Sequence, residues 1–193
     1  MAKLYFRYGV MGSSKSAQAL ITKFNYEEQG MRVWLIKPAA DTRYGADKVH
    51  SRIGLEQPAD VIDDDMDLYE VFRDREREFY DVIIVDEAQF LQPAHVEQLR
   101  EIVDYYNVPV FCFGLRTDFR TRLFPGSARL FELADSVTEL KTVCTCGGKA
   151  MVNARIDAED RVVTEGEQFL LGGNESYRPM CYKCWKLKSK SEK

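Results

Sequence analysis

The chain has 193 residues, with 27 Lys or Arg against 31 Asp or Glu and a formal net charge of −4. That length holds one full domain and a small appendage, and the acidic balance argues against a general nucleic-acid partner. No run approaches the ~18 consecutive apolar residues that span a bilayer, and "MAKLYFRYGV" contains no secretory segment. The expectation is a cytoplasmic protein with no membrane partner and with five reduced cysteines.

From the N-terminus, "KLYFRY" reads as a strand that runs into Gly9. A helix follows, with Ala17, Leu20, Ile21 and Phe24 as one apolar stripe and Gly30 as its C-terminal cap. "MRVWLIK" is a second strand closed by Pro38, and strand–helix–strand spacing of this length implies a parallel pair. Residues 38–59 hold no sustained period, the pattern of a functional or irregular segment. "MDLYEVFRDRER" puts Leu68, Val71 and Phe72 on one helix face, with Asp63, Asp64 and Asp65 available as caps. "VIIV" is a strand buried on both faces. "PAHVEQLREIVDYY" starts with proline in its first turn and gathers Val96, Leu99, Ile102 and Val103. "VPVFCFGL" is a further buried strand, with Cys112 as a core thiol, and "SARLFELA" is a short helix. The alternation predicts an α/β domain over residues 1–140.

Past residue 140 the composition changes. "AMVNARI" alternates, with Ala150, Val152, Ala154 and Ile156 on one side, and "DAEDR" turns the chain back into "VVT". This hairpin lies between Cys144–Thr–Cys146 and the pair Cys181 and Cys184 in "CYKC". Two thiol pairs in a reduced compartment favour a closed, structural all-cysteine zinc site over free thiols or a redox pair. Residues 141–185 are therefore expected to form a zinc-binding domain. The basic run at 186–193 is expected to be a frayed tail.

The stretch "GVMGSSKSAQAL" at 9–20 almost spells the phosphate loop G-x-x-x-x-G-K-[ST], with Ser14 in place of the second glycine. Such a loop binds anions because backbone N–H groups converge at a helix N-terminus, a lysine reaches the outer phosphates and a hydroxyl meets magnesium. Gly9, Lys15 and Ser16 fit those parts. If Ser14 must be left-handed, its β-carbon costs about 1–2 kcal/mol. Alone, the stretch is equally a strand-to-helix turn with serine caps and a solvated lysine. Asp86 and Glu87, directly after "VIIV", change that balance. Two acids at the C-terminal end of a buried strand face the edge of the sheet where ligands bind, and the first is where a magnesium-holding aspartate sits. His50 and His95 belong to no motif and read as surface or loop residues.

Together "GVMGSSKS", "DTRYG", "VDEAQFL", "FGLRTDF", "EGEQFLLGGNESY" and the paired cysteines resemble the zinc-containing (type II) thymidine kinases, in their bacterial branch, over residues 3–185. The resemblance implies a P-loop NTPase-type, mainly parallel sheet with flanking helices, and a small C-terminal zinc-ribbon or lasso domain. It implies transfer of the ATP γ-phosphate to the 5′-hydroxyl of thymidine or deoxyuridine with Mg²⁺. Gly9, Val10, Met11, Gly12, Ser13, Ser14, Lys15 and Ser16 match the ATP loop, with Asp41 and Asp86 near the phosphates and metal. Glu87 matches the general base, and Arg43 lines the reaction centre. Met11, Gln89, Phe90, Leu115, Phe119, Phe124, Gly172, Gly173 and Tyr177 match the nucleoside-enclosing positions, and Cys144, Cys146, Cys181 and Cys184 the structural Zn²⁺ ligands. The resemblance also implies a homotetramer and feedback inhibition by dTTP. The competing readings are a P-loop ATPase whose zinc ribbon grips nucleic acid, and a nucleotide-binding protein that has lost its activity.

Overall fold

The computed structural model describes residues 1–42, 45, 47–74, 80–168 and 176–189. In chain order it holds β1 (Leu4–Tyr8), α1 (Lys15–Glu27), β2 (Val33–Pro38), β3 (Lys48–His50), β4 (Glu56–Pro58), β5 (Asp60–Ile62) and α2 (Leu68–Asp74). There follow β6 (Val82–Val85), α3 (Pro93–Tyr106), β7 (Val110–Gly114), α4 (Pro125–Leu133) and β8 (Ser136–Glu139). The C-terminal part contributes β9 (Val152–Ile156), β10 (Val162–Val163), β11 (Tyr177–Met180) and α5 (Tyr182–Ser189). Six strands form one sheet in the order β5-β2-β6-β7-β1-β8, every neighbouring pair parallel.

The strands alternate between two cores. Trp34, Ile36, Ile83, Val85, Val110 and Cys112 pack with α2, α3 and α4 through Leu68, Phe72, Val96, Leu99, Ile102, Val103 and Leu130. Leu35, Val82, Ile84, Phe111 and Phe113 pack on the other side with Ala19 and Leu20 of α1 and Val49 of β3. A strand side chain buried on either face contributes ~1.5–3 kcal/mol, so the unbroken apolar runs of β6 and β7 are what a two-sided sheet requires. Burial also pushes the Cys112 thiol above its usual range.

Several local expectations change. Ile21 and Phe24 of α1 are 47% and 58% exposed. Ala17 and Leu20 of the expected stripe are buried, and the sheet-facing side is completed by Ala19 and the partly buried ring of Tyr26 beside Leu20. Gly30 lies three residues past the helix end, closing the turn with φ 77°. The α2 N-terminus is capped by Asp67, whose Oδ1 accepts from the Glu70 N–H at 3.0 Å, and by Gln98 of α3, which accepts from Leu68 N–H at 2.9 Å. The three preceding aspartates do not serve it. His95 is 3% exposed and helps close the α3 N-terminus by accepting from Gln92 N–H, so it is not a surface residue.

Residues 38–59 are not irregular throughout: β3 and β4 pair as an antiparallel hairpin. Its base is held by Lys37, a 1% exposed residue of β2 whose Nζ lies 3.0 Å from Asp41 Oδ2 and donates to the Gly45 and Lys48 carbonyls at 3.2 Å each.

The hairpin expected near residue 155 is present as β9–β10, and β11 adds to its other edge. Ala150, Val152, Ala154, Val162, Met180 and Trp185 form its core, joined by Val10 from the loop after β1. The small sheet is thus joined to the larger domain through the loop after β1. α5 continues to Ser189, so Lys186–Ser189 of the expected tail are helical. No described helix is long and apolar enough to cross a membrane.

Candidate active site

Gly9 ends β1 and donates to the Gly114 carbonyl at 3.1 Å. A β-carbon there would sit 2.3 Å from Ser13 Oγ and 2.5 Å from the Leu140 carbonyl, so the tight entry to the loop needs glycine. Gly12 and Ser14 both take left-handed backbones, φ 78° and 62°. Ser14 accepts the N–H of Gln18, and α1 begins at Lys15. The loop therefore leads straight into the helix N-terminus, and Ser14 carries the strain of its left-handed backbone. Lys15 is 8% exposed, with its Nζ donating to the Val10 carbonyl at 2.9 Å. The Val10 side chain belongs to the small sheet's core, so its place in the loop is through its backbone.

Ser14→Gly relieves about 1–2 kcal/mol of strain and returns ~0.4–1 kcal/mol of entropy to the unfolded chain. The expected result is a Tm raised by about 1–3 °C in scanning calorimetry. A fall in Tm would show that the Ser14 side chain stabilises the loop through contacts that outweigh its strain.

Asp86 follows β6, is 4% exposed, and donates its own N–H to the Ile36 carbonyl at 3.0 Å. Its carboxylate accepts from the Ser16 hydroxyl and the Glu87 N–H. Burial, and then the Glu87 charge, push it up to about 7; Ser16, the Glu87 N–H and Lys15 act in the opposite direction. A carboxylate so short of positive charge, with a hydroxyl beside it, is a donor set that suits a divalent cation. Glu87 itself is left-handed, φ 51°. A non-glycine residue persists in that region only when its surroundings fix it. Here Gln89 supplies much of the fixing: its Nε2 donates to Glu87 Oε2, and its Oε1 accepts from Leu115 N–H at 2.9 Å. Gly126 presses the same turn from behind; a β-carbon there would lie 2.5 Å from the Leu91 carbonyl.

Met11, Gly12, Ser14, Lys15, Ser16, Asp41, Asp86, Glu87 and Leu115 line one cavity of about 320 Å³. Residues nearly a hundred positions apart in the chain thus meet at the C-terminal edge of the sheet. The β3–β4 hairpin closes the same cavity with His50, Ser51, Arg52 and Ile53. None of these was singled out as a site residue from sequence, and His50 is no bystander of the pocket. The signal was available: Gly54, with φ 84° between two short β-capable runs, marks the hairpin turn.

Phe90, Phe119, Phe124 and Tyr177 are not among the residues that line this cavity. Phe90 and Phe124 meet edge to face at 5.7 Å. Phe119 is 1% exposed and has the guanidinium of Arg155 3.7 Å from its ring centre. Arg155 in turn donates to the Tyr177 hydroxyl. Asn153 accepts the Met11 N–H at 2.7 Å and donates to the Thr117 carbonyl at 3.0 Å, fastening the small sheet to the phosphate loop. Asn153 and Arg155 occupy the face of β9 that alternation assigns to solvent, yet both are buried. Arg43, Gly172 and Gly173 lie outside the described residues.

The four sulfurs of Cys144, Cys146, Cys181 and Cys184 all lie within 4.8 Å of one another. Cys146 and Cys181, 35 residues apart, have Sγ atoms 3.7 Å apart. A tetrahedral zinc with Zn–S bonds of ~2.3 Å places its sulfurs about 3.8 Å apart, so the donor set and spacing fit that ion. Cys144 sits in a tight turn closed by its N–H to the Gly148 carbonyl and by Gly147 N–H to its own carbonyl, both 2.8 Å. The N–H groups of Cys146 and Cys181 hold the Cys144 thiol down at about 6, while hydrogen bonds with the Cys181, Cys146 and Cys144 sulfurs push Cys184 up to about 12, so one proton is shared unevenly across the cluster.

The thymidine kinase family profile matches residues 2–185. The chain belongs to the thymidine kinase family. A thymidine kinase of Legionella pneumophila (strain Lens) is 48% identical over 183 residues, covering 94% of this chain and 88% of that one. The thymidine kinase of enterobacteria phage T4 is 47% identical over 187 residues, 96% of each. Among solved structures, the genome packaging NTPase of Sulfolobus turreted icosahedral virus 2, in complex with ATP-gammaS, aligns at a TM-score of 0.47 and 17% identity. That alignment covers 76% of this chain and 78% of the other, a likeness too loose to carry an argument.

Proposed function

We propose that the protein transfers the γ-phosphate of ATP to the 5′-hydroxyl of thymidine or deoxyuridine. The observation that carries this reading is the convergence of Lys15, Asp86 and Glu87 on one cavity at the end of β6. Phosphoryl transfer needs alignment and charge neutralisation more than covalent chemistry. Backbone N–H groups of residues 12 and 14–16 and the Lys15 ammonium grip the triphosphate, and Ser16 and Asp86 are the residues that would hold Mg²⁺. When bound, that ion neutralises charge on the transferring phosphoryl group. Glu87, held by Gln89, accepts the proton of the 5′-hydroxyl as the hydroxyl oxygen bonds to the γ-phosphorus and the bond from that phosphorus to the β-phosphate oxygen breaks, releasing ADP. Asp41 lines the phosphate side, and Arg43 is assigned beside it. Met11 and Leu115 border the acceptor, with Gln89, Phe90, Phe119, Phe124 and Tyr177 assigned to hold the nucleoside, and Gly172 and Gly173 to approach it through their backbone. Zn²⁺ at the four cysteines is structural, because protein sulfurs fill all four positions.

The same reading includes a homotetramer, for which the exposed Ile21 and Phe24 of α1 offer apolar surface, dTTP as feedback inhibitor, and a cytoplasmic setting. A panel of nucleosides incubated with ATP and Mg²⁺ and scored for monophosphate tests the reaction. Product from thymidine or deoxyuridine is expected; ATP hydrolysis with no nucleoside product would overturn it.

A further inference from the structure

We propose that Arg155 is a positioning residue for the nucleoside: one guanidinium holds Phe119, the 167–168 backbone and the Tyr177 hydroxyl in a single arrangement and so sets nucleoside affinity. The proposal rests on the thymidine kinase reading above. Arg155 stands in the middle of the small sheet, paired in register with Tyr177 across β9 and β11, and is 4% exposed. Its Nε and Nη2 donate to the Tyr177 hydroxyl at 3.0 and 2.6 Å. Nη1 donates to the Glu167 carbonyl at 2.9 Å, and Nη2 reaches the Gln168 carbonyl at 3.5 Å. The plane lies against Phe119, 3.7 Å from its centroid.

Among the described residues no carboxylate pairs with this cation. A buried guanidinium without a counter-ion is costly, and here carbonyls, a phenol and a ring face offset that cost. They come from segments at 119, 167–168 and 177, so the charge is tolerable only when all three are assembled. The Gln168 side chain reinforces the join by donating to Asp118 Oδ2 at 3.2 Å, next to Phe119. Because the Tyr177 oxygen accepts two N–H groups, its own hydrogen points away from Arg155. The hydroxyl is thereby presented as a donor, suited to an oxygen acceptor such as a nucleoside carries. A lysine has one point charge and no fork, so it cannot make the same set of contacts.

The test is steady-state kinetics with thymidine and ATP varied separately, on wild type, Arg155→Lys, Arg155→Met, Tyr177→Phe and the Arg155→Lys/Tyr177→Phe double variant. Arg155→Met is expected to raise the thymidine KM about 10–100-fold, the range for losing hydrogen bonds from a charged group. The ATP KM should stay within about twofold, since the phosphate loop keeps its own donors, and Arg155→Lys should recover only part of the loss. The double variant should cost less than the product of its two single effects, because both act through one hydroxyl. If Arg155→Met does not fold, the Lys and Phe variants carry the test. An unchanged thymidine KM, equal rises for both substrates, or fully multiplicative effects would overturn the assignment. Wild-type enzyme that phosphorylates thymidine, with Tyr177→Phe impaired and Arg155 variants normal, would sink this inference alone. Wild-type enzyme with no nucleoside product would remove the thymidine kinase reading and this inference with it.

Discussion

Glu87→Gln is expected to lower thymidine turnover by about 10²–10⁴-fold, the usual contribution of a positioned general base, while ATP binding survives. The amide has nearly the shape of the carboxylate, so the left-handed backbone at φ 51° has no steric reason to change. The ATP loop donors at 12 and 14–16 and the Lys15 ammonium are untouched, and the Glu87 charge is one of the two causes that push Asp86 upward. Its removal makes Asp86 easier to ionise, so the residues assigned to magnesium are not weakened. The loss should therefore fall on kcat, with ATP affinity by calorimetry within a few-fold of wild type. Gln89→Ala is a weaker companion: it frees Glu87 rather than removing it, and also takes a partner from the Leu115 N–H. Full turnover in Glu87→Gln would remove Glu87 from the mechanism and pass proton removal to another group on the cavity wall.

How much of this was legible without coordinates follows from the physics of each element. The strands β6 and β7 are unbroken apolar runs and α3 a regular apolar stripe, and Val96, Leu99, Ile102 and Val103 are buried as that stripe requires, with His95 joining them. The phosphate loop and the Asp86–Glu87 pair were legible because their chemistry is local: a strand end, a loop, a helix start. What escaped was tertiary. The hairpin β3–β4 consists of two three-residue strands, too short for period counting, and it is tied to β2 by Lys37, whose partners are carbonyls that sequence cannot specify. The α1 stripe held at Ala17 and Leu20 but not at Ile21 and Phe24, because the sheet covers only the face that also carries Ala19 and Tyr26. Asn153 and Arg155 were hidden for the opposite reason. Alternation marks them as the wet face of a hairpin, and the loops that carry Met11 and Phe119 cover that face in the folded chain.

Removing zinc should give the largest stability effect in the molecule. Metal analysis is expected to find about one zinc per chain, and Cys181→Ser to lose it. Apparent zinc binding in small metal-dependent folds is worth about 10–16 kcal/mol at neutral pH. Even a fraction of that, at ~2–4 °C per kcal/mol for a chain of this size, lowers Tm by 10 °C or more. The physical reason is that the small sheet has little else. Its core of eight buried residues includes Cys144 itself and Val10 borrowed from the phosphate loop, and the sulfurs join two chain segments 35 residues apart. The effect should be directional as well as large. The small sheet carries Arg155 and Tyr177, so nucleoside affinity should fall with the metal. The ATP loop has its own anchors in β1, in α1 and in the Gly9–Gly114 bond, so ATP binding should fall less. Damage can cross through the Met11 N–H to Asn153 and through the Val10 side chain, which both join the loop to the small sheet. A Cys181→Ser protein that keeps both its Tm and its thymidine KM would show that packing, rather than the metal, holds the small sheet together.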